Sequence, residues 1–283
     1  MSIYNKQTQL IKVLDTILHV KIIGEGNPIV FLHGGPGSEH GFFLPHVLPL
    51  AKEFQLILYD QRGCGKSYPA DGNKYTMMAE VEALEALRKE LEFDKINVFG
   101  ESWGSMLALL YASSYPNRVN KLFLTAAIGA STEGLVAFEK ELLKRLSTID
   151  KLKVFFINIA MKTGLITMDS MVKVLNPYYL FSKDALIRKL GTKINQNVNH
   201  ILGDDMRNNY NLTEQLLRLD HIPVLVAQGS HDMINPAHIR ELLIKYIPHA
   251  ELIEIQDCGH WTVVEQPDKI NHLASRFFSN NAV

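Results

Sequence analysis

The chain has 283 residues, 47% of them hydrophobic and 21% charged, with 29 Lys and Arg against 30 Asp and Glu. That length and composition suit one substantial soluble core, and a near-neutral chain without a basic cluster among aromatics excludes nucleic acid as an expected partner. No run reaches the roughly 18 apolar residues that span a bilayer, and the polar stretch Met1 to Leu10 lacks the apolar region of a secretory leader.

Two alternating runs, Leu10 to Leu14 and Thr16 to Ile23, predict an opening β-hairpin. A turn at Gly24 to Pro28 leads into a buried strand, Ile29 to Leu32. Leu44 to Lys52 is expected to be helical, and Gln55 to Tyr59 is a second buried strand, ending at Asp60. Met77 to Leu91 carries apolar residues at helical spacing. Then come a strand at Ile96 to Phe99, a helix through Met106 to Ala112 and a strand at Lys121 to Thr125. Near the end, strands at Val224 to Ala227 and Leu252 to Ile255 alternate with helices at Ala237 to Tyr246 and Ile270 to Phe278. Alternating strands and helices predict an α/β fold: a mostly parallel twisted sheet covered by helices on both faces.

The middle of the chain has no clear buried strand. Helix-like runs at Val136 to Ser147, Leu152 to Lys162, Met168 to Leu175 and Lys183 to Lys193 are separated by Gly, Pro and Asn. The expected organisation is a core of residues 1–128 and 218–283 with a helical cap, 129–217, inserted over the strand ends. Ligand sites of open α/β sheets lie there. Cys64 and Cys258 have no metal-ligand spacing, so a cytoplasmic protein with reduced thiols is expected.

Ser102 lies in Gly100-Glu101-Ser102-Trp103-Gly104, between the strand ending at Phe99 and the helix that follows. A serine at such a turn has its hydroxyl lifted above the sheet, where a base can activate it. Asp232 follows the strand Val224 to Ala227, and His260 follows Leu252 to Ile255. Each sits in a loop suited to an acid and a base, in the chain order Ser, Asp, His. Asp257 competes with Asp232 as the acid but reads better as a turn residue. An oxyanion needs two backbone donors. They are expected from Trp103 and from Gly35 in the loop His33-Gly34-Gly35-Pro36-Gly37.

The segments His33 to Gly37, Asp60-Gln61-Arg62-Gly63-Cys64-Gly65-Lys66-Ser67 and Gly100 to Gly104 together resemble the prolyl aminopeptidase (proline iminopeptidase) branch of the α/β-hydrolases. The resemblance covers roughly residues 15–128 and 220–280. It implies the α/β-hydrolase fold, a Ser-His-Asp triad and release of N-terminal residues from short peptides; no His, Asp and Cys cluster stands at metal-ligand spacing, so no metal and no cofactor are expected. In that family, cap glutamates receive the substrate's amino group. The best match to one such run here is Arg207-Asn208-Asn209-Tyr210-Asn211, with arginine in the glutamate's place. Glu214 could stand for a second, and Glu101 is another conceivable anchor. Gly34 and Trp261, beside the oxyanion glycine and the base, complete the candidate substrate contacts.

Arg207 motivates an alternative: an esterase, amidase or lactonase acting on a carboxylate-bearing or neutral small molecule. A second alternative is a ligand sensor or partner-binding regulator that keeps the fold without turnover. Epoxide hydrolase and dehalogenase chemistry is disfavoured, because those enzymes place an aspartate where this chain has Ser102.

Overall fold

In the computed structural model, which describes residues 5–163, 166–188 and 193–279, the chain opens with an antiparallel hairpin. Its strands are β1 (Lys6–Val13) and β2 (Thr16–Ile23). The β-strands that follow are β3 (Asn27–Leu32), β4 (Phe54–Tyr59), β5 (Ile96–Glu101), β6 (Val119–Thr125), β7 (Val224–Gly229) and β8 (Glu251–Ile255). They form one sheet in the order β1-β2-β4-β3-β5-β6-β7-β8. The hairpin pairs antiparallel to β4, and every pair from β4 to β8 is parallel. Parallel strands are buried on both faces, which is why they read as unbroken apolar runs.

Helices α1 (Met77–Glu90) and α2 (Trp103–Ser114) cover one face, packing Val81, Leu84, Met106 and Leu110 against Val30, Val98 and Leu122. Between β6 and β7 the described residues include the α-helices α3 (Thr132–Arg145), α4 (Thr148–Lys162), α5 (Met168–Leu175) and α6 (Gln196–Asn209). After β7 come α7 (Pro236–Leu242), α8 (Thr262–Glu265) and α9 (Pro267–Ser279). The opposite face is covered by α9 and by the turns of residues 40–52, over a ladder of Phe31, Phe99 and Phe123. These rings stack across neighbouring strands at 5.0 and 4.9 Å. Full burial of each contributes about 2–3 kcal/mol.

Three expectations need correction. Leu44 to Lys52 is not an α-helix but a 3₁₀ turn at Leu48–Lys52, because Pro45 and Pro49 remove the N–H groups a helix needs. Lys183–Arg188 is likewise a short 3₁₀ turn; residues 189–192 of the expected helix lie outside the described residues, and residue 193 is not helical. Helix α6 was not expected. Its Asn, Asp and Gly content is poor for helices. It is held by Val198, Leu202 and Met206, four apart and all buried, and by the Asn195 side chain accepting from the N–H groups of Asn197 and Val198.

Cys64 and Cys258 are unpaired and buried. Among the described residues, no helix is long and apolar enough to cross a membrane.

Arg62 is clasped by Asp15 at 2.7 Å and lies 3.8 Å from the buried Glu80. Burial nevertheless pushes the Glu80 carboxyl up to about 8, because Arg62 is shared with Asp15, whose charge opposes a second anion. The folded state therefore holds a proton that the unfolded chain releases near 4.5. Stability should fall as pH rises across that window, from about 4.5 to about 8. Urea denaturation at pH 5 and pH 8 is expected to show Glu80→Gln losing less stability than wild type, by on the order of 3 kcal/mol. Equal losses in both proteins would refute the assignment.

Candidate active site

Ser102 makes the whole turn from β5 to α2, at φ 57 and ψ −120. So sharp a turn presses the residues two places before and after it against other backbone, where only glycine fits. A Cβ on Gly104 would stand 1.9 Å from the carbonyl oxygen of Leu32, and one on Gly100 would stand 2.4 Å from that of Gly104. The Ser102 N–H donates to Thr125 at the end of β6, 3.1 Å away. Trp103 opens α2, so its N–H is among those that have no partner within the helix.

The Ser102 hydroxyl lies 2.9 Å from His260 Nε2, and His260 Nδ1 lies 2.9 Å from Asp232 Oδ2. A carboxylate only accepts, so Nδ1 carries the proton and Nε2 is left to accept from serine. Asp232 is fully buried, and its carboxylate also accepts from Gln228 Nε2 at 3.0 Å and from the Ile234 N–H at 3.2 Å. Asp257, the competing acid, sits exposed in its turn.

Residues from the helical segment hold this row in place. The Arg145 guanidinium, on α3, donates to the backbone carbonyls of His231 and Asp232 at 2.6 and 2.7 Å. The His260 N–H donates to the Tyr179 carbonyl at 2.7 Å, and its ring lies against Phe138 and Tyr179. Glu265 accepts from the N–H groups of Phe181, Ser182 and Gly259, tying the His260 loop to the same segment. None of these is signalled by a motif.

Gly35 turns at φ 120 and joins Pro36 by a cis peptide bond. Gly34 runs close under the serine, since a Cβ there would lie 3.2 Å from Ser102 Cβ. Gln61 bridges this loop to α2: its amide donates to the His33 carbonyl at 3.0 Å and accepts from the Trp103 indole at 2.8 Å. The backbone N–H of Gln61 donates to His33 Nε2 at 3.1 Å, leaving Nδ1–H to donate to the Gly34 carbonyl at 2.9 Å. Complete burial drives the His33 pKa down to about 4, so the ring is neutral and this pattern holds at physiological pH.

Behind that loop, one ligand-type atom from each of His19, His40 and Asp60 lies within 4.8 Å of the others. The convergence is tertiary, and spacing along the chain gives no sign of it. His40 Nδ1 and Asp60 Oδ1 are 2.7 Å apart, a hydrogen-bond distance, whereas two ligands of one tetrahedral zinc stand about 3.3 Å apart. Asp60 also accepts from the N–H groups of His40 and Lys66. The His40 contacts and these N–H groups hold its carboxyl at about 2 despite burial. This set acts as a hydrogen-bonded clamp on the Asp60 to Ser67 loop.

A cavity of about 600 Å³ opens over Ser102 and His260. Its wall is largely apolar, from Ile128, Leu142, Leu146 and Val172 among others, and includes five methionines: Met106, Met161, Met168, Met171 and Met206. Gly34, Gly35, Glu101, Trp103 and Trp261 contribute to it, whereas Arg207 and Glu214 do not. Arg207 is half exposed, 2.7 Å from Asp204 and 3.9 Å from Glu139, and Glu214 is exposed. Arg207 therefore stays off the cavity wall, because the α6 residue turns outward to neighbouring acids.

Comparison with known proteins follows the same lines. The sequence model described as alpha/beta hydrolase fold matches residues 27–267. A protein named proline iminopeptidase from Lacticaseibacillus rhamnosus (strain Lc 705) is 30% identical over 93% of this chain and 94% of its own length. One of the same name from Lactobacillus delbrueckii subsp. bulgaricus is 29% identical over 91% and 92%. Among solved structures, an alpha/beta fold family hydrolase from Bacillus anthracis str. Sterne superposes with a TM-score of 0.79 at 24% identity, covering 96% of this chain and 99% of that one.

Proposed function

The chain belongs to the alpha/beta hydrolase fold family, and on that footing we propose a serine hydrolase of the proline iminopeptidase type, releasing N-terminal residues from small peptides. The observation that carries the reading is the unbroken row from Ser102 through His260 to Asp232 beneath a largely apolar cavity. His260 takes the Ser102 proton as the hydroxyl attacks the substrate carbonyl, and Asp232 holds the imidazolium that forms. The N–H groups of Gly35 and Trp103 receive the oxyanion. His260 then protonates the departing amine, and water activated by the same ring hydrolyses the acyl-enzyme. Residues 129–217 act as a cap that shapes the cavity and excludes water.

Gln61 is a positioning residue, since it joins the two strands of chain that carry the oxyanion donors. Gln61→Leu is expected to lower kcat roughly 10- to 100-fold with little change in KM. A parallel rise in KM, or an unchanged kcat, would count against this role.

A second reading, an esterase acting on an apolar acyl group, is favoured by the methionine-rich wall. Labelling by a fluorophosphonate, with a panel of aminoacyl-arylamides and aryl esters, tests both. Arylamide turnover exceeding that of matched esters supports the aminopeptidase. Turnover of esters alone moves the assignment to the second reading. Folded protein with no Ser102-dependent labelling would overturn both and leave a binding role.

A further inference from the structure

An aminopeptidase must receive a free amino group, and that group lies only one carbon from the carbonyl under attack. Its anchor therefore has to adjoin the nucleophile. Among the described residues, two that bear carboxyl groups line the cavity, Glu101 and Glu139. Glu139 is 59% exposed and 3.9 Å from Arg207, so water and a cation already screen it.

Glu101 differs in each respect. It immediately precedes Ser102 at the end of β5 and is 1% exposed. Neither carboxyl oxygen has a hydrogen-bond partner among the described residues. Burying a carboxylate without donors is strongly unfavourable, and Asp232 nearby adds a like charge. Both effects push the Glu101 carboxyl well above its ordinary range. An ammonium group supplies what is missing: a countercharge and up to three N–H donors.

We propose that Glu101 receives the α-amino group of the substrate, taking the place of the cap glutamates for which this chain has Arg207 and the outward-facing Glu214. Around it the wall is apolar, which suits the ring of an N-terminal proline or another apolar residue. A neutral ester gains nothing from this carboxyl, so Glu101 separates amine-bearing substrates from neutral ones. The inference rests on the aminopeptidase reading, but its test needs no turnover.

The probes are L-prolinamide and cyclopentanecarboxamide, which share ring and carboxamide and differ in the ring nitrogen. Calorimetric titration at pH 7 uses Ser102→Ala protein, so that neither probe can be hydrolysed. Prolinamide is expected to bind at least tenfold tighter than cyclopentanecarboxamide. That ratio should collapse to about one when Glu101→Gln is added, while binding of the neutral probe stays within threefold. Glu101→Met, apolar and of similar volume, provides a second variant in case the first does not fold, with a melting curve to verify each. A ratio near one in the parent protein, or a tenfold ratio that survives both substitutions, would overturn the proposal. Failure of the serine hydrolase reading is recognised separately, by absent fluorophosphonate labelling of the unmodified protein.

Discussion

Ser102→Ala is expected to lower kcat by about 10⁴- to 10⁶-fold for whichever aryl ester or aminoacyl-arylamide the unmodified protein turns over best. The size follows from the geometry. Removing one hydroxyl leaves His260 with no serine proton to accept at 2.9 Å, and no acyl-enzyme can form. Residual turnover would come only from water attacking a polarised carbonyl. Cavity shape and KM should change little, because the serine side chain contributes little to a wall made mainly of larger apolar side chains. Initial rates with enzyme freed of wild-type contamination decide the matter. A variant retaining a tenth of the activity would mean that another group is the nucleophile.

The largest expected effect on stability lies two residues further on. Gly104→Ala would place a methyl group 1.9 Å from the Leu32 carbonyl oxygen, with the His33 carbonyl oxygen 3.1 Å away. Both are backbone atoms of β3 and the loop after it, so no side-chain rotation relieves the clash. Either α2 lifts off the sheet or β3 yields, and a loss of about 3 kcal/mol or more is expected. Gly203→Ala is the matched control. It lies inside α6, and the nearest atoms to its new methyl are the guanidinium of Arg207 at 3.6 to 3.9 Å. There alanine should be neutral or stabilise by up to about 1 kcal/mol through helix propensity. Urea midpoints for the two variants should move in opposite directions or leave Gly203→Ala unmoved. Comparable losses would point to a general intolerance of change in this protein.

Much of the sheet is legible in the sequence because buried parallel strands have a strong signature. Val30-Phe31-Leu32, Leu56-Ile57-Leu58 and Val224-Leu225-Val226 are apolar without alternation, and each ends near a polar or glycine residue that belongs to a loop over the sheet. Ser102, Asp232 and His260 were found as a set because each follows such a strand. The geometry now places them within hydrogen-bond reach. The supporting residues were not legible. Gln61 and Arg145 act through contacts 42 and 87 residues away, and no local pattern distinguishes them from any other Gln or Arg. Helix α6 was hidden by its composition, although Val198, Leu202 and Met206 already stood four apart. Placing Arg207 on that helix is what turns it away from the cavity.

Arg145 also limits how the molecule can breathe. Its guanidinium grips the two carbonyls on either side of the peptide link into Asp232, while Tyr179 and Glu265 hold the His260 loop to residues 179–182. The roof of the cavity is thus wired to Asp232 and His260 beneath it. A hinged cover could swing away and leave finished machinery exposed, but this one would drag the Asp232 loop along or break both Arg145 bonds.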